Sequence, residues 1–102
     1  MRYGVRLTEP AQRDIESLLD YIVAHGGEGV ARGYLDRLQN FLRTFEHFPK
    51  RGTVRGDIRD GLRIIGFERS LSIAFVVDDE DRAVYVLRVL TRGQDFRPTE
   101  AE

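Results

Sequence analysis

The last third of the sequence contains three apolar segments separated by very little chain: LRIIGFE (62–68), LSIAFVVD (71–78) and AVYVLRVL (83–90). Each segment is rich in β-branched and aromatic residues, which favour strands. The breaks between them, RS and DEDR, are short enough to be hairpin turns. Together these segments predict a three-stranded antiparallel meander.

Before the meander, the spacing of apolar residues changes from that of a strand to that of a helix. RYGVRLT alternates apolar and polar residues and predicts a strand, and Thr8 after it is expected to cap a helix. The apolar stripe of that helix is formed by Ile15, Leu18, Leu19 and Ile22. HGGEG (25–29) ends it, and a second helix is expected from about Glu28 to the Phe48-Pro49 step. So short a connection predicts an antiparallel αα-hairpin.

The order of these elements is typical of an α+β fold. One strand, an αα-hairpin and then a three-stranded antiparallel meander should place both helices on one face of the sheet. A chain of 102 residues suits one domain, so we expect a single unit over 1–102. Residues 50–61 have no clear period and predict a basic loop with room for a short strand. In the last strand, strict alternation predicts one face formed by Val84, Val86, Arg88 and Leu90, and another formed by Tyr85, Leu87 and Val89.

Composition excludes several classes of function. The absence of cysteine rules out disulfides, thiolate metal sites and a cysteine nucleophile, and is compatible with the cytoplasmic location that we expect. No apolar run is long enough to cross a membrane, and the N-terminus has no signal-peptide core. A net charge of −1 differs from that of a generally basic nucleic-acid binder. We expect no cofactor and no metal, because the acidic run at 78–81 lacks the glycine and spacing of a calcium loop and falls in a turn.

Positive charge is concentrated between residues 50 and 69 and returns in the last strand. The candidate contact residues for a target or an acidic partner are Arg59, Arg63, Arg69, Arg88 and Arg92. Arginine suits this role because its guanidinium fork matches carboxylates and phosphates. The alternative is a solvated loop with scattered arginines, whereas a functional patch requires these side chains to share one face. Arg88 interrupts an apolar strand and is expected to be structural or paired with an acidic residue, with Arg92 more exposed.

Three stretches of the chain resemble the RelE/ParE superfamily of bacterial toxins from type II toxin–antitoxin modules. They are YGVRLTEPAQRDIESLLDYI, YLDRLQNFLRTFEHFPKRG and GLRIIGFERSLSIAFVVDDEDRAVYVLRVLTRGQDF. The GLR that opens the meander and the VYVLRVL that closes it are most similar to ParE-type toxins, although Thr91 stands where those toxins commonly have histidine. The resemblance implies a cognate antitoxin that adds a strand to a sheet edge or lays a helix in a groove, and DNA gyrase as the target.

The same resemblance leaves two alternatives open. RelE-like members are ribosome-dependent endoribonucleases of messenger RNA, with basic residues on the sheet and a tyrosine or histidine near the C-terminus. Here Ser72 stands where such enzymes have an arginine, and the tail after Arg92 contains no tyrosine, histidine or lysine. We therefore expect no catalytic residue and no direct sequence-specific binding of nucleic acid. The other alternative is a degenerate toxin that only binds its antitoxin.

Overall fold

The computed structural model describes residues 2–91, Gln94 and Phe96. Its elements, in chain order, are β1 (Gly4–Leu7), α1 (Glu9–Gly26), α2 (Glu28–Arg43), a single 3-10 turn (Thr44–Glu46), β2 (Thr53–Val54), β3 (Arg63–Phe67), β4 (Leu71–Asp78) and β5 (Ala83–Thr91). This order confirms the α+β fold expected from the sequence. Neither α1 nor α2 is long and apolar enough to cross a lipid bilayer.

The sheet is five-stranded and mixed, with the order β1-β5-β4-β3-β2. β3, β4 and β5 form the predicted antiparallel meander. β1 pairs with β5 in parallel, because the chain crosses from one strand to the other through the helices. The short β2 lies within the segment predicted to be a basic loop with room for a short strand, and it adds the opposite edge.

Both helices pack on one face of the sheet, as predicted. Thr8 caps α1, accepting a hydrogen bond at 3.3 Å from the backbone N–H of Ala11. Phe45, just after α2, meets Phe75 of β4 edge to face, with 4.9 Å between ring centroids. The buried members of this helix-side core are Ala11, Ile15, Leu38, Leu42, Phe45, Phe67, Leu71, Ile73, Phe75, Val84, Val86 and Val89.

The other face of the sheet, the outer face, also carries an apolar cluster. Its buried members are Leu62, Ala74, Leu87, Leu90 and Phe96, and its partly buried members are Ile58, Ile64, Val76 and Tyr85. The segment between β2 and β3 supplies Ile58 and Leu62, and Phe96 follows β5. The outer face is therefore partly covered by chain that does not belong to the sheet.

The predicted alternation of side chains along β5 is wrong beyond Leu87. Ala74 of β4 pairs with Arg88 and Phe75 pairs with Val86, which leaves Leu87 as an extra residue. Such a β-bulge shifts the alternation by one residue. Val89 consequently joins the helix-side core, and Leu90 joins the outer-face cluster.

Candidate functional site

Arg88, one of the predicted contact residues, is held by an ion pair inside the fold. Its Nε and Nη2 donate to the two carboxylate oxygens of Asp14 on α1, at 2.7 and 2.8 Å. Only 13% of the Arg88 side chain and 15% of the Asp14 side chain are exposed. This geometry confirms that Arg88 pairs with an acidic residue and gives it a structural position.

The same carboxylate covers the edge of β5 where β1 has ended. The backbone N–H of Val89 donates to Asp14 Oδ2 at 2.8 Å. Two residues earlier in β5, the Thr8 hydroxyl donates to the carbonyl of Leu87 at 2.9 Å. The start of α1 thus takes the place of a neighbouring strand, satisfying backbone groups that an open edge would leave unpaired. Sequence reasoning missed Asp14, which no local pattern distinguishes from the other acidic residues.

A groove of about 600 Å³ opens beside this ion pair, between α1, the β3–β4 turn and the end of β5. We call it the α1 groove. Leu18, Leu71 and Val89 give it an apolar floor, and Tyr21, 62% exposed, stands at its side. Its remaining lining residues are Asp14, Ser17, Arg69, Ser70, Thr91 and Gln94. An apolar floor with a polar rim suits the amphipathic face of a helix or strand from another protein.

The β3–β4 turn places a cation at the rim of the α1 groove. Glu68 and Arg69 both have left-handed backbone conformations, with φ of 49° and 60°. Arg37 of α2 holds Glu68 through two hydrogen bonds of 2.8 and 3.2 Å, which lower the pKa of that carboxyl. Arg69 is exposed, and within the described part of the chain no carboxylate is paired with it. It is therefore available to an acidic ligand.

A second groove, of about 820 Å³, lies beside the 3-10 turn and is called the Phe48 groove here. Its lining residues are Tyr3, Phe41, Thr44, Phe48, Pro49, Lys50 and Arg51. Phe48 is 72% exposed, the most exposed of the large apolar side chains in the described residues. Sequence reasoning recognised Phe48 only as the end of a helix and Tyr3 only as a strand residue, so it missed this groove.

Asp79 connects the Phe48 groove to the β4–β5 turn. It accepts a hydrogen bond of 2.7 Å from the Tyr3 hydroxyl and forms an ion pair of 2.9 Å with Lys50 Nζ. The bonds from Lys50 and Tyr3 lower the pKa of Asp79, and the bond to Asp79 raises the pKa of both partners. The network is therefore complete at neutral pH and is lost as the pH falls through the pKa of Asp79 or rises through that of Tyr3. The acidic run at 78–81 is thus partly engaged within the protein.

Replacing Asp79 with asparagine should lower the pKa of Tyr3 toward its ordinary value of 10.0, because the carboxylate that accepts the hydrogen bond is removed. Titration of tyrosinate absorbance measures this, with Tyr3→Phe identifying the signal. Asp57→Asn is the control, because Asp57 pairs with Arg55 and has no bond to Tyr3. An unchanged Tyr3 titration in the Asp79 variant would contradict the network.

The structure does not gather the four described members of the predicted arginine set in one place. Arg63 begins β3 and donates at 3.5 Å to the carbonyl of Arg51, whereas Arg69 lies in the turn beyond the far end of the same strand, whose ends are roughly 13 Å apart. Arg59 lies in the segment before β3, and its buried Nη1 has no hydrogen-bond partner among the described residues. Arg88 is held by Asp14, and Arg92 lies outside the described residues. Of the described four, Arg69 alone lines either groove.

Comparison with known proteins identifies the family to which this sequence is similar. The model of the family described as "ParE toxin of type II toxin-antitoxin system, parDE" matches residues 5–96. Toxin ParE3 of Caulobacter vibrioides is 28% identical over 83 residues, covering 81% of this chain and 80% of the relative.

Solved structures show the same fold. A chain of the chromosomal ParDE system from P. aeruginosa superposes with a TM-score of 0.74 at 20% identity, covering 88% of this chain and 96% of its own length. A chain of the RelBE2 toxin–antitoxin complex from Mycobacterium tuberculosis superposes with a TM-score of 0.63 at 24% identity, covering 92% of this chain and 95% of its own length. A double mutant of E. coli toxin RelE in the free state superposes with a TM-score of 0.68 at 21% identity, covering 99% of this chain and 95% of its own length. The family match over most of the sequence shows that this chain belongs to the ParE toxin family of type II toxin–antitoxin systems.

Proposed function

We propose that this chain is a toxin that inhibits DNA gyrase without hydrolysing nucleic acid, and that a cognate antitoxin neutralises it by occupying the α1 groove. The family match and the ParE3 relative favour a ParE-type activity over that of a ribonuclease. The observation that carries the non-hydrolytic part of the proposal is the apolar character of the outer face of the sheet.

Cleavage of RNA without a metal requires three kinds of group on one surface. A base must take the proton of the 2′-hydroxyl, an acid must protonate the leaving oxygen, and cations must stabilise the charged phosphorane. On the outer face, β3, β4 and β5 contribute Ile64, Val76 and Leu90 to the apolar cluster, and Ser72, which pairs with Leu90, carries no charge. Tyr85, also on this face, packs against the apolar cluster. This surface favours protein contact over phosphoryl chemistry.

The α1 groove has the chemistry that an antitoxin segment would need. Its apolar floor can bury the side chains of an amphipathic helix or strand, and Arg69 at its rim can pair with a carboxylate. Two of the structural neighbours come from toxin–antitoxin systems, ParDE and RelBE2, the second solved as a complex. These neighbours support the expectation of a partner encoded beside this chain.

The experiment for the target is a supercoiling assay with purified DNA gyrase. The chain should inhibit supercoiling of relaxed plasmid, and prior addition of the purified antitoxin from the neighbouring reading frame should restore it. In a translating extract, messenger RNA should stay intact at the same toxin concentration. Full gyrase activity at saturating toxin contradicts the target, and ribosome-dependent cleavage of messenger RNA at codon positions contradicts the non-hydrolytic mechanism.

A further inference from the structure

We propose that the Phe48 groove is a second protein-binding surface, and that it takes an acidic segment with an apolar anchor residue from the target protein of this toxin. The inference rests on the proposed function, because it assigns the antitoxin and the target to different grooves. It adds where the target docks and which chemistry recognises it.

The exposure of Phe48 is the first argument. Phe48, with 72% of its surface in water, lines a groove together with Phe41 and Pro49, and contiguous apolar surface of this kind marks interaction sites. Its backbone is fixed, since its N–H donates to the carbonyl of Thr44 at 3.1 Å and Pro49 after it is buried. An aromatic side chain on a rigid backbone is a favourable anchor, because little conformational entropy is lost on binding.

The floor of the Phe48 groove is held rigid by Arg51. Its guanidinium lies 5.0 Å from the ring centroid of Phe41 and 4.8 Å from that of Phe45. Its Nη1 donates to the Thr44 hydroxyl at 2.6 Å. Arg51 thus holds the chain after Pro49 against the 3-10 turn, so that the groove is already formed before a ligand binds.

The charge of the groove identifies the occupant as acidic. Lys50 and Arg51 line it, and none of its described lining residues is a carboxylate. Arg51 contacts aromatic rings and a hydroxyl, so its positive charge is not neutralised by an ion pair in the described residues. The pair between Lys50 and Asp79 is exposed at 54% and 57%, and an incoming carboxylate can compete for that lysine. Complementary charge favours an acidic partner and disfavours a basic one.

The two grooves are far enough apart to act separately. Their described lining residues have no member in common. Leu71, which lines the α1 groove, begins β4, and Asp78 ends it, next to the Asp79 that holds Tyr3 and Lys50. A strand of this length separates its ends by roughly 25 Å. An antitoxin segment in the α1 groove therefore need not cover Phe48, and substitutions in the two grooves should have separable effects.

The test compares two exposed aromatic side chains, one from each groove. Phe48→Ala should raise the concentration of toxin that half-inhibits gyrase, and the expression level that arrests growth, at least about 10-fold, the usual effect of removing a central anchor. Its affinity for the purified antitoxin should stay unchanged. Tyr21→Ala, at 62% exposure, should show the reverse pattern. Thermal unfolding followed by circular dichroism checks that both variants fold. We expect that they do, because both side chains are largely exposed.

Charge is tested at Lys50 with the same assays. Lys50→Glu should weaken inhibition more than Lys50→Gln, because it adds repulsion against an acidic segment, and the difference should shrink as salt is raised. An inhibition that is equal in both variants at all salt concentrations would contradict the acidic character of the ligand.

Each outcome separates this inference from the proposed function. If the wild-type chain arrests growth but leaves gyrase active, the gyrase assignment fails, and loss of arrest in Phe48→Ala still supports the groove. If Phe48→Ala arrests growth and inhibits gyrase like the wild type, or loses antitoxin affinity in parallel, the groove is not the target surface. A wild-type chain that neither arrests growth nor inhibits gyrase overturns both. Unchanged antitoxin affinity in Tyr21→Ala counts only against the place assigned to the antitoxin.

Discussion

Replacing Asp14 with alanine should lower the free energy of unfolding by about 3 kcal/mol, the usual cost of removing one partner from a buried ion pair. The carboxylate accepts hydrogen bonds from Nε and Nη2 of Arg88 and from the backbone N–H of Val89. Its removal leaves a guanidinium that is 13% exposed without its carboxylate and leaves that backbone N–H without its acceptor. The loss should appear as a shift of the denaturant midpoint without a change in slope.

The matched control is the ion pair between Arg37 and Glu68, which is also held by two hydrogen bonds but is exposed at 55% and 37%. Arg37→Ala should cost much less than Asp14→Ala, because water solvates the charge that remains. Asp14→Asn separates charge from shape, since its amide oxygen can still accept from Val89. An Asp14→Ala variant no less stable than Arg37→Ala would contradict the structural role of the buried pair.

Arg88 shows how much of a side chain's environment can be predicted from the sequence. An arginine within the apolar segment VYVLRVL is expected to be structural or paired with an acidic residue, because an unpaired buried charge is costly. The partner itself, Asp14, lies 74 positions earlier. Only the parallel contact between β1 and β5 brings the start of α1 to the edge of the last strand, and no local pattern encodes that contact.

The predicted alternation of side chains along β5 was wrong for a related reason. The order of the elements follows from periodicity and turn lengths, so the meander and the αα-hairpin were predictable. A β-bulge depends on how two strands pair, and the extra residue Leu87 has the same apolar character as its neighbours. Its effect becomes visible only in the structure, where Val89 and Leu90 exchange their predicted faces.

The two grooves were beyond sequence reasoning because each is assembled from distant segments. The count of arginines between residues 50 and 69 suggested one basic patch, whereas the structure places Arg63 at the start of β3 and Arg69 in the turn beyond its end. Arg51 was part of that count, and its contact with two aromatic rings has no signal in the sequence. Composition could indicate that an acidic partner is suitable, but the location of its contact surface depends on the tertiary structure.

Replacing Gly52 with alanine should cost about 3 kcal/mol, because this position combines two unfavourable effects. Its φ of +79° is left-handed, which costs a residue with a Cβ about 1–2 kcal/mol. An added Cβ would also lie 2.5 Å from the backbone carbonyl oxygen of Ile64 in β3, which cannot move without disturbing the sheet. Overpacking of this kind adds about 1–3 kcal/mol. Denaturant unfolding measures the total.

Gly61→Ala isolates the first effect from the second. Gly61 has nearly the same φ, +78°, but an added Cβ would meet no atom of the described residues within 4 Å, so only the backbone strain of about 1–2 kcal/mol remains. Because Gly52 directly follows Arg51, its substitution should also displace the floor of the Phe48 groove and weaken inhibition of the target, whereas Gly61→Ala should not. Equal losses of stability in the two variants would show that the chain before β2 moves away from β3 at little cost. The rigidity that the Phe48 groove requires would then be absent.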